Sequence, residues 1–217
     1  MTNENRISII IPCYNEDRFI TNTIEKLINL DCGISEIIIV DDNSQDNSVK
    51  FIENINDNRI KIISNKKNRG KGYCIKVGIK EAKGDIIVIQ DADNEYNPSD
   101  IKKLVKPFIT SKADFVIGNR FQSINHRKIG YFYQTLFNKI ITFLVNLKTN
   151  KNYSDIECGY KLFKKNIFDE INLNENSFGI EVELILKLSK KKINIFEVNI
   201  DYNARTLEEG KKIKFKD

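Results

Sequence analysis

Residues 85–95 read Asp-Ile-Ile-Val-Ile-Gln-Asp-Ala-Asp-Asn-Glu, an apolar run that ends in a tight cluster of carboxylates. The apolar run predicts a short buried strand, and the cluster lies where that strand would leave its sheet. Because alternate side chains of an extended chain point the same way, Asp91, Asp93 and Glu95 are expected to converge on one point. Converging carboxylates suit a hard cation such as Mg²⁺ or Mn²⁺, although a solvated acidic turn accounts for the same residues. The choice between the two depends on the rest of the chain.

Short apolar runs recur along the first half of the chain and alternate with segments of helical periodicity. We expect strands at 7–11, 36–40, 60–64, 86–89 and 115–117. Between them, apolar side chains recur at the three- and four-residue spacing of a helix. This alternation predicts an α/β fold with a mostly parallel central sheet covered by helices on both faces. Beyond residue 118 the alternation weakens, and we expect a helix at 179–190 and a strand at 193–202.

Three polar motifs follow the predicted strands. Residues 12–16 (Pro-Cys-Tyr-Asn-Glu) come after the first, residues 41–44 (Asp-Asp-Asn-Ser) after the second, and the acidic cluster after the fourth. The carboxyl ends of parallel strands lie at one edge of a sheet, and ligands bind there. Three polar motifs at one edge favour an active site over three ordinary loops.

The size and composition of the chain fit a single domain spanning 1–217. It has 217 residues, of which 41% are hydrophobic, enough to bury a core. No run approaches the roughly 18–20 uninterrupted apolar residues of a membrane span. The N-terminus lacks the basic start and apolar stretch of a signal peptide, so a cytoplasmic location is expected. The four cysteines are scattered, which favours reduced thiols over a disulfide framework or a paired-cysteine metal site.

Charge is unevenly distributed along the chain, whose formal net charge is +5. Residues 1–100 carry 13 basic and 17 acidic side chains, whereas residues 101–217 carry 22 and 13. A basic C-terminal half suggests an anionic partner such as phosphates, a lipid surface or nucleic acid. The competing interpretation is a solvated surface, because lysine is abundant along much of the chain.

Residues 129–147 are apolar and aromatic, with polar side chains at intervals. This pattern predicts a broad-faced amphipathic helix that lies in a membrane interface rather than crossing the bilayer. A helix of the core or of a dimer interface is the competing interpretation. The sequence pattern alone leaves both open.

Seven sequence strings, taken in order, form a recognisable pattern. They are 9–16 (Ile-Ile-Ile-Pro-Cys-Tyr-Asn-Glu), 36–44 (Glu-Ile-Ile-Ile-Val-Asp-Asp-Asn-Ser), 68–72 (Asn-Arg-Gly-Lys-Gly), 91–95, 118–120 (Gly-Asn-Arg), 155–163 (Asp-Ile-Glu-Cys-Gly-Tyr-Lys-Leu-Phe) and 205–213 (Arg-Thr-Leu-Glu-Glu-Gly-Lys-Lys-Ile). Together they resemble family-2 glycosyltransferases of the GT-A fold, and more narrowly the branch of dolichyl- and polyprenyl-phosphate sugar synthases. The resemblance implies a Rossmann-like three-layer α/β/α domain. It divides the domain into a nucleotide-sugar-binding half at about 1–118 and an acceptor-side half at about 119–217.

The resemblance also implies which residues bind the sugar-nucleotide donor. They are Pro12, Tyr14, Asn15, Glu16, Asp42, Gly70, Lys71, Asp91 and Ala92. In this assignment Asp42 accepts hydrogen bonds from the edge of the base, as a carboxylate can. Lys71 lies between two glycines and supplies a point charge for phosphate.

A divalent cation is implied at the acidic cluster. Asp91, Asp93 and Glu95 would hold Mg²⁺ or Mn²⁺, with Asp93 the catalytic carboxylate among them. The cation would neutralise the departing nucleoside diphosphate. Arg205 and Lys211 would belong to a C-terminal loop that closes over the donor and excludes water.

Acceptor binding is implied at the C-terminal half. Arg120 and Arg127 match positions that hold a lipid phosphate, and the neighbouring His126 is expected to be an exposed loop residue. A lipid phosphate is already anionic near neutral pH, so it needs positioning rather than a general base. If the acceptor is instead a sugar hydroxyl, Asp155 and Glu157 are the candidate general bases.

The sequence therefore predicts a metal-dependent, inverting glycosyltransferase that uses a UDP- or GDP-linked sugar. The leading acceptor is a polyprenyl phosphate at the cytoplasmic face of the membrane, which the chain would contact peripherally. The alternative acceptor is a hydroxyl of a growing surface glycan. A nucleotidyltransferase is disfavoured because residues 12–16 lack its Gly-rich, Arg-containing loop, and a silent sugar-nucleotide-binding module is a lower alternative. No nucleic acid partner is expected, and the oligomeric state is left open.

Overall fold

The structure, a computed structural model, describes residues 6–122, 131–168 and 171–205. The strands are β1 (Ile7–Cys13), β2 (Ile34–Asp41), β3 (Ile60–Ser64), β4 (Ile86–Ile89), β5 (Phe115–Asn119), β6 (Lys161–Lys164) and β7 (Ile195–Asn199). The α-helices are α1 (Ile20–Ile28), α2 (Ser48–Glu53), α3 (Lys71–Glu81), α4 (Ile101–Thr110), α5 (Phe132–Thr149) and α6 (Ile180–Leu188). Short 3-10 helices lie at Pro98–Asp100 and Lys165–Phe168.

The seven strands form one sheet in the order β3-β2-β1-β4-β6-β5-β7. Every neighbouring pair is parallel except the two pairs made by β6, which runs antiparallel to β4 and β5. The central strands are buried on both faces, as Ile9, Ile10 and Ile11 of β1 show. Strands covered on both sides have no polar face, which is why they are apolar without alternation. The predicted α/β fold with a mostly parallel sheet and flanking helices is confirmed.

All five strands predicted in the first half are present, and the strand predicted at 193–202 is the shorter β7. The sequence did not predict β6, which is four residues long and begins and ends with lysine. Lys161 is nevertheless fully buried, because Glu181 of α6 accepts a hydrogen bond from its ammonium group. Because lysine stands at a core position, this strand lacks the apolar run by which a buried strand is predicted.

The helix predicted at 129–147 is present as α5, and residues 129–130 lie outside the described residues. One face of α5 buries Asn138, Thr142 and Val145, whereas Phe132, Phe143 and other large apolar side chains are exposed. Among the described residues, no helix is long and apolar enough to cross a membrane.

Candidate active site

The polar motifs meet where the order of strands reverses. β1 lies between β2 and β4, so the chain leaves neighbouring strands toward opposite sides of the sheet. Such a reversal opens a crevice at the carboxyl ends of the strands. The residue pairs Cys13–Asp41 and Ile10–Ile89 place the ends of β1, β2 and β4 at one edge. The motifs at 12–16, 41–44 and 91–95 therefore surround that crevice.

The acidic cluster is a turn and not an extension of β4. The strand ends at Ile89, and Asn94 has a φ of 59°, in the left-handed region. The expectation that Asp91, Asp93 and Glu95 lie on alternate positions of an extended chain is therefore wrong, because the chain turns after β4. Within the described residues, no three His, Cys, Asp or Glu side chains are grouped as a metal site requires.

Each carboxylate of the turn instead contacts a partner within the protein. Asp91 Oδ1 lies 2.7 Å from the ammonium group of Lys71. Asp93 Oδ2 accepts a hydrogen bond of 2.8 Å from Arg205 Nη2. Glu95 accepts hydrogen bonds from the Tyr202 hydroxyl at 2.5 Å and the Arg205 backbone N–H at 2.9 Å.

Arg205 is the central cation of this turn. Its guanidinium lies 2.8 Å from Asp93, 3.2 Å from Glu16 and 3.6 Å from Glu95, and its side chain is only 10% exposed. Burial and the charges of Asp91 and Glu95 raise the pKa of Asp93 to about 7, against the lowering effect of Arg205. A surplus of negative charge therefore remains although Arg205 is present.

This donor set fits a divalent cation chemically. Hard carboxylate oxygens that repel one another are stabilised by Mg²⁺ or Mn²⁺, and such ions keep open positions for phosphate oxygens. Asp91 and Asp93 are the residues that would hold the ion. Glu95 is directed toward Tyr202 and Arg205, so it supports the turn rather than facing the same point.

Asp42 anchors the loop that leads into α3. It is buried, and its oxygens accept hydrogen bonds from the backbone N–H groups of Arg69 at 2.9 Å and Gly70 at 2.7 Å, and from Asn65 Nδ2 at 2.8 Å. The structure thus gives Asp42 a contact with the protein loop, in addition to the base contact implied by resemblance.

The two glycines that flank Lys71 are required by packing. Gly70 has a φ of 93°, and a Cβ there would lie 2.3 Å from the carbonyl oxygen of Asn176. A Cβ on Gly72 would lie 2.7 Å from the carbonyl oxygen of Glu175. The backbone before α6 therefore packs closely against both glycines, and donor binding by Gly70 stays a prediction. Lys71 itself points between Asp91 and Glu181, 2.7 and 2.8 Å away.

The motif after β1 is held to the motif after β2. The backbone N–H of Asn15 donates to Ser44 Oγ at 2.9 Å, and its side-chain oxygen accepts from the Gln45 N–H at 2.7 Å. Tyr14 is 38% exposed beside them, whereas Glu16 is buried against Arg205. Pro12 is the register partner of Val40 at the same end of the sheet, and Ala92 is buried in the acidic turn. These placements leave Tyr14 as the accessible aromatic surface of the crevice.

Arg120 and Asp155 form a two-point ion pair in which the carboxylate is fully buried. Arg120 Nε and Nη2 donate to the two oxygens of Asp155, each at 2.7 Å, and Asn138 of α5 donates to the same carboxylate at 2.9 Å. Burial works to raise the pKa of Asp155, but the hydrogen bonds and charge of Arg120 outweigh it and lower that pKa. A fully buried carboxylate with a lowered pKa is a poor proton acceptor. Asp155 therefore holds Arg120 in place, and its role as a general base stays a prediction.

Glu157 differs from Asp155 in its surroundings. It is half-buried, and burial raises the pKa of its carboxyl despite the charge of Arg120. It remains a candidate proton acceptor. The predicted residues His126, Arg127 and Lys211 lie outside the described residues.

Comparison with known protein families identifies the family to which this chain belongs. The family model described as Glycosyl transferase family 2 matches residues 8–172. The chain belongs to glycosyl transferase family 2. The predicted membership is confirmed by a match that spans most of the chain.

Family-2 relatives include enzymes named for dolichyl-phosphate acceptors. The chain is 29% identical over 210 residues to the dolichol-phosphate mannosyltransferase of Pyrococcus furiosus, covering 95% of this chain and 59% of that protein. It is 30% identical over 213 residues to the UDP-N-acetylglucosamine–dolichyl-phosphate N-acetylglucosaminyltransferase of Methanococcus voltae, covering 89% and 84%. The chain thus spans under two thirds of the Pyrococcus protein.

A solved structure shares the family-2 fold. The glucosyl-3-phosphoglycerate synthase of Mycobacterium tuberculosis, in complex with Mn²⁺, UDP and glucosyl-3-phosphoglycerate, superimposes with a TM-score of 0.71. The superposition covers 94% of this chain and 74% of that one, at 18% sequence identity. It supports the predicted GT-A fold.

Several side chains at the family-2 site escaped the sequence analysis. Tyr202 contacts both Glu95 and Arg120, since its hydroxyl donates to Glu95 and the centre of its ring lies 5.1 Å from the guanidinium of Arg120. Glu181 contacts Lys71, and Asn138 contacts Asp155. The sequence carries only a weak signal for them: Glu181 is one of two acidic residues near the start of the predicted helix at 179–190, and Asn138 is a polar residue in the aromatic-rich helix at 129–147.

Proposed function

We propose that this family-2 chain transfers a sugar from a UDP- or GDP-linked donor to a polyprenyl phosphate, with inversion at the anomeric carbon. The relatives named for dolichyl-phosphate acceptors support this acceptor class. The acceptor phosphate would attack the anomeric carbon on the face opposite the departing nucleoside diphosphate.

The observation that carries the acceptor assignment is the ion pair of Arg120 with Asp155. Asp155 engages Nε and Nη2 of the guanidinium, which fixes the direction of the third nitrogen. A guanidinium held in this way can position a phosphate without rearranging. Because Asp155 is committed to Arg120, the site is better suited to an acceptor that needs no proton removed than to a hydroxyl.

The donor diphosphate would lie between the acidic turn and the cations beside it. A divalent metal bound there would neutralise charge on the leaving group. Asp91 and Asp93 would hold that metal, Lys71 would contact a phosphate oxygen, and Arg205 would close the site from the C-terminal side. With water excluded, these charges stabilise the developing diphosphate more strongly than bulk water does.

We further propose that α5 rests on the cytoplasmic surface of the membrane that carries the acceptor. Phe132 is 72% exposed, Phe143 61% and Leu147 66%, an unusual density of large apolar side chains on one helix. The opposite face of α5 bonds to Asp155 through Asn138. The exposed face would therefore bring a lipid-borne phosphate close to Arg120.

A second candidate function is transfer to a hydroxyl of a growing surface glycan. The observation that favours it is the half-buried Glu157, whose pKa is raised and which lies close enough to Arg120 and Asp155 to respond to their charges. A carboxylate with a raised pKa is a better general base for a hydroxyl acceptor.

One assay separates the two candidates. The purified protein is incubated with UDP- and GDP-linked sugars and Mn²⁺ or Mg²⁺, with a short polyprenyl phosphate in one arm and an oligosaccharide in the other. We expect metal-dependent transfer only in the polyprenyl phosphate arm. Transfer only to the oligosaccharide would establish the second candidate, and donor hydrolysis without any transfer would contradict both.

A further inference from the structure

Four charged side chains form a chain of contacts beside the candidate donor site, from the half-buried Lys71 and Asp91 to the buried Glu181 and Lys161. Lys71, at the start of α3, lies 2.7 Å from Asp91 Oδ1 and 2.8 Å from Glu181 Oε1. The other oxygen of Glu181 accepts a hydrogen bond from Lys161 Nζ, and Lys161 of β6 is fully buried. Carboxylates and lysines thus alternate from the acidic turn to the interior of the sheet.

The position of Glu181 relative to Lys71 is determined by the backbone. Glu181 lies in the first turn of α6, and the segment before that helix packs on the start of α3. The N–H of Tyr73 donates to the Asn176 carbonyl at 3.1 Å, and Lys76 Nζ donates to the Asn176 side chain at 2.7 Å. Gly70 and Gly72 allow this close approach. The two helices therefore present Glu181 to Lys71 as part of the packed core.

When a donor binds, Asp91 and Glu181 are expected to differ in whether they stay paired with Lys71. Asp91 belongs to the turn that would take the metal, and a metal ion there competes with the lysine for its oxygens. Glu181 belongs to α6 and is buried, so it stays beside Lys71. The Lys71 side chain is only 15% exposed, and an ammonium group with so little access to water is destabilised when it loses every partner. Glu181 is the partner that prevents this.

We propose that Glu181 is a positioning residue for the donor diphosphate, acting through Lys71. It holds the Lys71 ammonium group beside Asp91 and keeps it paired while that group turns to a phosphate oxygen. Lys161 also contacts Glu181, so the buried carboxylate keeps a positive partner when Lys71 turns to the phosphate. This inference rests on the proposed donor binding at Lys71.

The variants must separate positioning from stability. Glu181→Gln alone leaves Lys161 buried without its counter-charge, which destabilises the fold directly. The double variant Glu181→Gln/Lys161→Met removes one charge of each sign from the interior. The double variant is expected to fold, and Lys71 still loses the negative charge of Glu181.

The measurement is the ratio of affinities for nucleoside diphosphate and monophosphate. UDP, GDP, UMP and GMP are titrated into the full chain in the presence of Mn²⁺ by calorimetry. In the double variant we expect diphosphate affinity to fall about tenfold or more while monophosphate affinity changes little, as for loss of one charge-assisted phosphate contact. A general loosening of the fold would lower both affinities together.

Two further variants test whether Glu181 acts through Lys71. In a Lys71→Met background, the Glu181→Gln/Lys161→Met substitutions should cause no further change in the ratio. Glu183→Gln is the matched control: it lies in the same helical turn, 2.7 Å from Lys187, and should leave the ratio unchanged.

Three results would overturn the inference. A folded double variant with the wild-type ratio would show that Glu181 does not position the diphosphate contact. An equal drop in the Lys71→Met background would show that it acts by another route. A wild-type protein that binds UDP and GDP no better than UMP and GMP would refute the donor assignment itself, and with it this inference.

Discussion

Asp93 shows how the environment of one residue sets its chemistry. Its carboxyl is half-buried near Asp91 and Glu95. Partial burial and these two charges raise its pKa to about 7, although Arg205 Nη2 lies only 2.8 Å away. A carboxylate held at this cost is stabilised by any further cation that reaches it. This is the physical ground for assigning Asp93 to the metal rather than to an ordinary acidic turn.

Replacing Asp93 tests this assignment directly. We expect Asp93→Asn to reduce sugar transfer by on the order of 100-fold or more, because the leaving diphosphate loses its cation. Circular dichroism should show an unchanged fold. Asp85→Asn is the control, since Asp85 is an exposed carboxylate just before β4 that pairs with Arg6. Full turnover by a folded Asp93→Asn protein would refute the metal role.

The raised pKa of Asp93 also predicts a pH dependence of stability. Its folded-state pKa of about 7 exceeds the value of about 3.9 expected in an unfolded chain, so the folded state binds more protons between these values. The free energy of unfolding should therefore fall as the pH rises through this window in metal-free buffer. Asp93→Asn removes this dependence, so the Tm of the variant minus that of the wild type should increase from about pH 4.5 to about pH 8. A Tm difference that stays the same from about pH 4.5 to about pH 8 would contradict the raised pKa of Asp93.

The ion pair of Arg120 with Asp155 predicts two separable effects. Arg120→Met leaves Asp155 buried without a counter-charge and should lower the free energy of unfolding by about 3 kcal/mol or more. Adding Asp155→Asn removes the unpaired charge and should restore most of this stability. Transfer to a polyprenyl phosphate should stay impaired in the double variant, because the phosphate contact is still missing. Recovery of transfer together with stability would show that Arg120 serves only the fold.

Helix α5 has two faces that differ in burial. Its inner face buries Val145 and directs Asn138 to Asp155, whereas Phe143 and Leu147 are exposed on its outer face. The same amphipathic pattern describes a core helix and an interfacial one. Only the exposure of individual side chains separates the inner face from the outer face.

Substitutions on the two faces of α5 should therefore behave differently. Phe143→Ser with Leu147→Ser should weaken binding to vesicles of anionic phospholipid, measured by sedimentation, and leave the Tm close to that of the wild type. Val145→Ser, on the buried face, should lower the Tm by about 5 °C or more with less effect on vesicle binding. Loss of folding in the outer-face variant would favour a packing role for that face instead.

At the scale of the whole molecule, the C-terminal end of the described chain packs against the acidic turn. The N–H of Asn203 donates to the carbonyl of Glu95 at 2.9 Å, and Tyr202 forms a β-bridge with Tyr96. Arg205 follows directly and contacts Glu16, which lies after β1. Residues almost two hundred positions apart in sequence thus share one charge cluster.

This arrangement predicts competition between Arg205 and a metal ion. The guanidinium already neutralises part of the charge on Asp93, so Arg205→Ala should bind Mn²⁺ more tightly than the wild type when no nucleotide is present. Electron paramagnetic resonance of free Mn²⁺ measures this directly. Arg59→Ala is the control, because Arg59 pairs with Asp57 at a distant loop. Weaker Mn²⁺ binding by Arg205→Ala would show that Arg205 organises the turn rather than competing with the ion.

The fold was largely predictable because its signals are local. Buried parallel strands must be apolar on both faces, so β1, β2 and β4 stand out by their runs of Ile and Val, and the polar motifs follow directly after them. The strand β6 was not predictable in this way. Its Lys161 is acceptable in the interior only because Glu181, twenty residues later, supplies the opposite charge.

The amino-acid sequence by itself determined the strand-helix alternation, the edge of the sheet where the polar motifs gather, and the family. Tertiary structure alone decided which charges meet: Arg205 with Asp93, Lys71 with Glu181 and Arg120 with Asp155. The physical reason is that periodicity and burial depend on neighbouring residues, whereas an ion pair depends on distances between segments far apart in the chain. Those segments come within ion-pair distance only when the folded sheet has brought them together.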